Sequence, residues 1–156
     1  MSAPKSVVKV KKNNVEYTSN VDACQYYMFE LSRAALRDVG KFIRSRFRTV
    51  YYTHFKRHSG DGGRAVSYVV FSNKDTKYPR VQVGLKTGKQ DGFYAYFQEF
   101  GSSRQPKLGL LNHVVQDNIQ TIVEIESKYL SGLEDEAKAL AMIDSEDEYE
   151  SGNNED

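Results

Sequence analysis

The longest regular pattern of apolar and polar positions runs from near Ser19-Asn20-Val21-Asp22 to about Arg48. Cys24, Met28, Leu31, Ala35, Leu36, Val39, Phe42 and Ile43 fall within one broad arc when the residues are laid out as a helix. Ser19, with an acid three residues on, resembles a capping box and marks the start. Arg33, Arg37, Lys41, Arg44 and Arg48 follow one another at spacings of four, four, three and four, and fill the arc opposite the apolar one. Arg46 falls on the apolar side, so the helix is expected to leave the core near there. Gly40 lies inside the pattern, where it costs about 1 kcal/mol relative to alanine. It therefore marks either a close contact or a bend.

Period-two patterns lie on both sides of this helix. Val8 and Val10 alternate with Lys9 and Lys11, which predicts one lysine-rich edge strand within residues 1–18, with Asn13-Asn14 able to turn the chain. Residues 49–64 read as a loop, because three glycines in four positions (Gly60, Gly62 and Gly63) do not hold regular structure cheaply. Ala65 to Ser72 is β-rich, with Val66, Tyr68 and Val70 on one face and Val69 and Phe71 on the other. Both faces are largely apolar, which predicts a central strand. Arg80 to Lys86 alternates, with Val81, Val83 and Leu85 inward, and the two runs pair as an antiparallel hairpin around a turn at 73–78.

The next stretch is the most unusual. Residues 93–100 hold five aromatic residues: Phe93, Tyr94, Tyr96, Phe97 and Phe100. Spacings of three and four place Phe93, Tyr96, Phe97 and Phe100 on one face of a short helix, which Asp91 can cap and Gly101 can close in a left-handed turn. Phe97 and Phe100 are the expected core anchors. Five aromatic rings exceed what one face of a short helix can bury, so Tyr94 and Tyr96 are expected to lie partly outward, where amphipathic tyrosines suit an interface. Glu99 sits one step off the stripe. It reads either as a solvated glutamate beside a hydrophobic plug or as a contact residue for an arginine of the first helix in an adjacent subunit.

After an extended segment around Pro106, a last helix is expected from about Leu110 to Leu133. Its apolar stripe is Leu111, Val114, Val115, Ile119, Ile122, Ile125, Tyr129 and Leu133, and its wet face is Gln116, Gln120, Glu124 and Ser127. A helical extension can follow over 134–143. Residues 144–156 are too acidic and too poor in apolar groups to fold alone. The expected fold is α+β: one small antiparallel sheet of three or four strands against the long N-terminal helix and the C-terminal helix. Residues 1–133 form the domain and 134–156 an acidic, largely disordered tail.

Charge sharpens this division. The chain of 156 residues carries a formal net charge of +1, but residues 134–156 hold ten acids and one lysine, a net of −9, leaving +10 on residues 1–133. A basic body can meet a polyanion, an acidic protein surface or its own tail. The arginine face of the first helix is accordingly either a solvated face or an interaction face for a neighbouring subunit or for DNA.

Catalytic and metal-binding patterns are sparse. His54 and His58 have the spacing of two ligands on a helix, but lie in a basic, glycine-flanked segment with no carboxylate pair nearby, so no metal is expected there. His113 belongs to the wet face of the last helix. There is no nucleophile elbow, Walker-type glycine loop or His-Glu-x-x-His pattern, and Gly60-Asp61-Gly62-Gly63 lacks the lysine and following helix of a phosphate cradle. Neither enzyme activity nor a cofactor is expected. The single Cys24 excludes an internal disulfide, and neither a membrane span nor an export signal is evident.

Tyr94-Ala95, Phe97-Gln98-Glu99-Phe100-Gly101-Ser102 and Pro106-Lys107-Leu108-Gly109-Leu110-Leu111 together resemble the signature of the tail-component, or tail-completion, proteins of long-tailed bacteriophages. The resemblance covers roughly residues 20–133, though the family's usual Thr-Gly pattern is replaced by Ser59-Gly60. It implies a non-catalytic virion protein of the neck that is assembled in the host cytoplasm and makes the tail competent to join the head. It implies self-association as a ring, hexameric in its usual form, with tail-terminator or head-connector proteins on either side and non-specific contact with DNA. Taken with the residue patterns above, the candidate contact residues are Tyr94, Tyr96, Glu99, Arg33, Arg37, Lys41 and Arg44, and the candidate structural turn is Phe97, Phe100 and Gly101. The rival expectation is a nucleic-acid-binding protein whose acidic tail is autoinhibitory. A stand-alone interaction adaptor is the third.

Overall fold

The computed structural model describes residues 7–12, 15–56, 62–72, 78–86, 90–135 and 137–143. The fold is α+β with a long N-terminal helix and small antiparallel sheets. Two strands, β1 (Val7–Lys12) and β2 (Val15–Ser19), precede helix α1 (Val21–Phe55). A 3-10 turn at Gly62–Arg64 leads to β3 (Val66–Phe71) and β4 (Arg80–Leu85), and these to α2 (Gln90–Phe100), α3 (Leu110–Asp117) and α4 (Ile119–Leu130). The expected single sheet of three or four strands is two separate antiparallel pairs among the described residues, β1 with β2 and β3 with β4.

The chain divides into two compact units, one of residues 1–35 and 127–156 and one of 36–126. The change in charge at residue 134 falls inside the first. There the expected single N-terminal strand is a hairpin, which pairs Lys11 with Glu16 across its strands. The core of this unit includes Tyr27, Leu31, Ala34, Tyr129, Ala139 and Ile143. Gly132 is buried where a Cβ would lie 3.1 Å from the Met142 sulfur and 3.6 Å from Leu31, so a side chain there would have to push the flexible Met142 side chain slightly aside. Residues 137–143 are helical. Asp135 opens that helix, accepting the Ala137 N–H on its carboxylate at 3.0 Å and the Ala139 N–H on its carbonyl at 2.9 Å. Residues 144–156, expected to be disordered, lie outside the described residues.

In the second unit, Val39, Ile43 and Val114 form a buried cluster with Phe42, Val50, Val81, Val83, Leu111, Val115, Ile122 and Ile125 packed against it. The expected covering of one sheet face by the first and last helices is therefore present, with Val81 and Val83 of β4 turned inward. Two expectations need correction. Among the described residues β3 pairs with β4 alone, and Val69 is 55% exposed, so β3 is an edge rather than a central strand there. The last helix is also broken. Asn118 ends α3, with its side-chain amide donating to the Val114 carbonyl at 2.8 Å, so the local side chain competes with the helical ladder. Ile119, expected in the apolar stripe, is exposed just after this break.

α1 does not end near Arg48 but continues to Phe55. The apolar seam drifts around the helix at spacing four, and Phe47, Tyr51 and Phe55 stack with ring centroids 5.6 Å and 4.6 Å apart. The glycines that suggested a loop are placed by these rings. A Cβ on Gly63 would lie 2.8 Å from the Tyr52 ring, and one on Gly62 would run into the Tyr51 phenol. Lys56 then stops the helix at φ 50°.

Gly40 marks a close contact. A Cβ there would lie 2.5 Å and 2.6 Å from Cδ2 and Cγ of Tyr68, at the base of the ring rather than its movable end. Gly40→Ala gains about 1 kcal/mol of helix propensity but meets an overpacking cost of about 1–3 kcal/mol. The expected net result is a lower unfolding midpoint in urea. A raised midpoint would show that Tyr68 yields freely.

Candidate functional site

The aromatic segment forms α2 as expected, but its buried face is not the aromatic stripe. Ala95 and Glu99, four residues apart, point inward, with Glu99 only 7% exposed. Phe93, Tyr96 and Phe100 lie outward, Phe100 at 58% exposure, and Phe97 is half-buried. The outward rings cover one another: Phe93 with Phe97 at 4.7 Å between centroids, and Tyr96 with Phe100 at 4.8 Å. Phe100 is therefore no core anchor. Tyr94 is 66% exposed, on the outer surface where the sequence reading placed it. The side chain of Asp91, the expected cap, lies outside the described residues.

Polar satisfaction decides which face turns in. α3 starts after Gly109, which has φ 61° and no side chain to cap the helix. Its first N–H groups therefore need an acceptor from elsewhere. The Glu99 carboxylate supplies it, accepting the Leu111 N–H at 3.1 Å on Oε1 and 3.0 Å on Oε2, and the Asn112 N–H at 3.4 Å on Oε1. A negative charge at a helix N-terminus also meets the positive end of the helix dipole. The backbone of the same residue closes the other helix, since the Glu99 carbonyl accepts the Gly109 N–H at 3.2 Å and the Gln98 carbonyl accepts the Leu108 N–H at 3.0 Å. Glu99 thus clasps the end of α2 to the start of α3. Expected on a contact face, it is instead turned inward with its carboxylate occupied.

Gly101 makes the clasp possible. It sits at φ 80°, as the left-handed turn requires, with its N–H donating to the Phe97 carbonyl at 2.8 Å. A Cβ there would come within 3.0 Å of the Lys107 backbone nitrogen. Gln98 adds a second anchor, accepting the Tyr51 hydroxyl at 2.7 Å and so tying α2 to α1.

The arginine face of α1 also differs from one uniform stripe. Arg33 pairs with Glu30 at 3.4 Å, Lys41 pairs with Asp38 at 3.5 Å, and Arg37 is buried with a partner of its own. The sequence pattern places Arg37 on the outer arc, and its burial is a departure from that pattern. Arg44 and Arg48 are exposed, and among the described residues neither makes an ion pair. The Arg48 guanidinium instead lies 5.8 Å from the Tyr52 ring centroid.

His54 and His113 are both exposed, and His58 lies outside the described residues. Among the described residues, no group of three or more His, Cys, Asp and Glu side chains could hold a metal ion, and no helix is long and apolar enough to cross a membrane. A scan against protein-family models and searches of curated proteins and of solved structures return no match to this chain.

Proposed function

We propose that this chain is a structural virion protein of a long-tailed phage, acting in tail completion at the head–tail junction as a ring of identical copies. The observation that carries the reading is the outward aromatic surface of α2, set on a base fixed by Glu99 and Gln98. Phe93, Tyr94, Tyr96 and Phe100 are all exposed on this one short helix. Large aromatic side chains held rigidly at a surface lose little entropy on docking, which suits a subunit contact. The resemblance of the same segment to the tail-completion signature supplies the biological setting.

Native mass measurement and negative-stain images of the protein, alone and with purified phage tails, test this. Rings, or density added at the head-proximal end of the tail, are expected. A protein that stays monomeric at all concentrations and leaves tails unchanged would overturn the reading.

Substitutions at the outer tyrosines refine the test. Tyr94→Ala and Tyr96→Ala remove exposed rings, so stability should change by no more than about 0.5 kcal/mol. Ring formation or tail joining should fall. Unfolding of both variants with assembly unaffected in the folded fraction would assign these rings to the core.

A further inference from the structure

We propose that the exposed Arg44 and Arg48 of α1 bind the acidic segment 144–156 of a second copy of this chain. The inference rests on the assembly reading above and names the contact that links one copy to the next. Three observations carry it.

The first is the state of the arginines. The two side chains are four residues apart on one helix and therefore neighbours on its surface. Both are exposed, and among the described residues neither has an ion pair, whereas Arg33 and Lys41 on the same helix are paired locally. The Tyr52 ring lies beside the Arg48 guanidinium at 5.8 Å and restricts it without neutralising it.

The second is charge complementarity within the one sequence. Residues 144–156 carry seven acids and no lysine or arginine. The +10 on residues 1–133 makes the basic bodies of two copies repel, while the −9 on 134–156 nearly balances that charge. A contact from acidic segment to basic helix removes the repulsion between neighbours. It is also heterologous, joining different surfaces of the two copies, which is the kind of contact that closes rings.

The third is length. Segment 144–156 has 13 residues, which can span up to about 45 Å when extended. A stretch of that length is longer than the helical turn of a neighbour that carries Arg44 and Arg48.

The test uses full-length chains and charge reversal. One variant carries Arg44→Glu and Arg48→Glu. The other carries Glu146→Lys, Asp147→Lys, Glu148→Lys and Glu150→Lys. Sedimentation at low ionic strength, repeated at high salt, measures self-association. Each variant alone should associate about tenfold more weakly than the unmodified chain, because two exposed ion pairs become repulsive. A mixture of the two should regain the association, since each acidic or basic segment then finds its complement on the other copy. Melting curves confirm that both variants are folded.

If the unmodified chain associates and neither variant differs from it, this inference fails and the assembly reading stands. If the unmodified chain stays monomeric throughout, both fail. Weakened variants whose mixture does not recover would place the segment on its own chain and overturn the second-copy contact. Loss of duplex DNA binding in the arginine variant, with self-association unchanged in both, would assign the arginines to nucleic acid and overturn it as well.

Discussion

Phe47→Ala is expected to destabilise the protein by about 3–5 kcal/mol, a loss comparable to much of the stability of an ordinary domain. Phe47 is 2% exposed and among the largest fully buried side chains of the chain. Its ring starts the ladder that continues through Tyr51 to Phe55, and Tyr51 in turn donates to Gln98 of the aromatic helix. Removing the ring leaves a cavity and also loosens the support of α2. Equilibrium unfolding in urea measures the effect, and Phe100→Ala is the matched control. Phe100 is exposed and stacks on Tyr96 of its own helix, so its loss should change stability by about 0.5 kcal/mol or less. Equal losses at the two positions would mean that α2 is turned the other way.

That contrast also shows what the sequence makes legible. The existence of the long helix, of the β3–β4 hairpin and of the aromatic helix follows from apolar spacing, because each pattern runs long enough for its period to be read. The inward set Val39, Ile43, Val81, Val83 and Val114 follows from the same periodicity. The end of α1 was not legible, because Tyr51, Tyr52 and Phe55 are aromatic residues with a glycine-rich segment close behind, and that composition reads as loop. The glycines are there for the opposite reason: they let the chain lie against the rings of a helix that has not ended. The turned face of α2 was illegible for a different reason. Hydrophobicity alone puts the aromatic stripe inside. The preference for Ala95 and Glu99 comes from backbone N–H groups more than ten residues downstream, which no periodicity reports. A local signal did exist, since α3 begins at Gly109-Leu110-Leu111 with no serine, threonine, aspartate or asparagine to cap it. A helix start without its own cap asks for an acceptor elsewhere, and Glu99 is the buried acid that answers.

Glu99→Ala is accordingly expected to cost about 2–4 kcal/mol, from the lost cap and from N–H donors left without a partner in a buried place. Glu99→Gln keeps one acceptor oxygen and the side-chain volume but loses the charge at the helix start, so its cost should be about half as large. The order wild type, Gln, Ala in urea midpoint is the expected result, and amide exchange should localise the damage. In both variants the N–H groups of Leu111 and Asn112 should exchange faster, while the ladder from Phe47 to Phe55 in α1 keeps its protection. Assembly should track the folded fraction of each variant, because the carboxylate faces α3 rather than a neighbouring copy. The opposite outcome is equally clear. If Glu99→Ala unfolds at the wild-type midpoint, retains protection at Leu111 and still fails to assemble, the carboxylate meets a partner in solution and the clasp is not what holds α2 to α3.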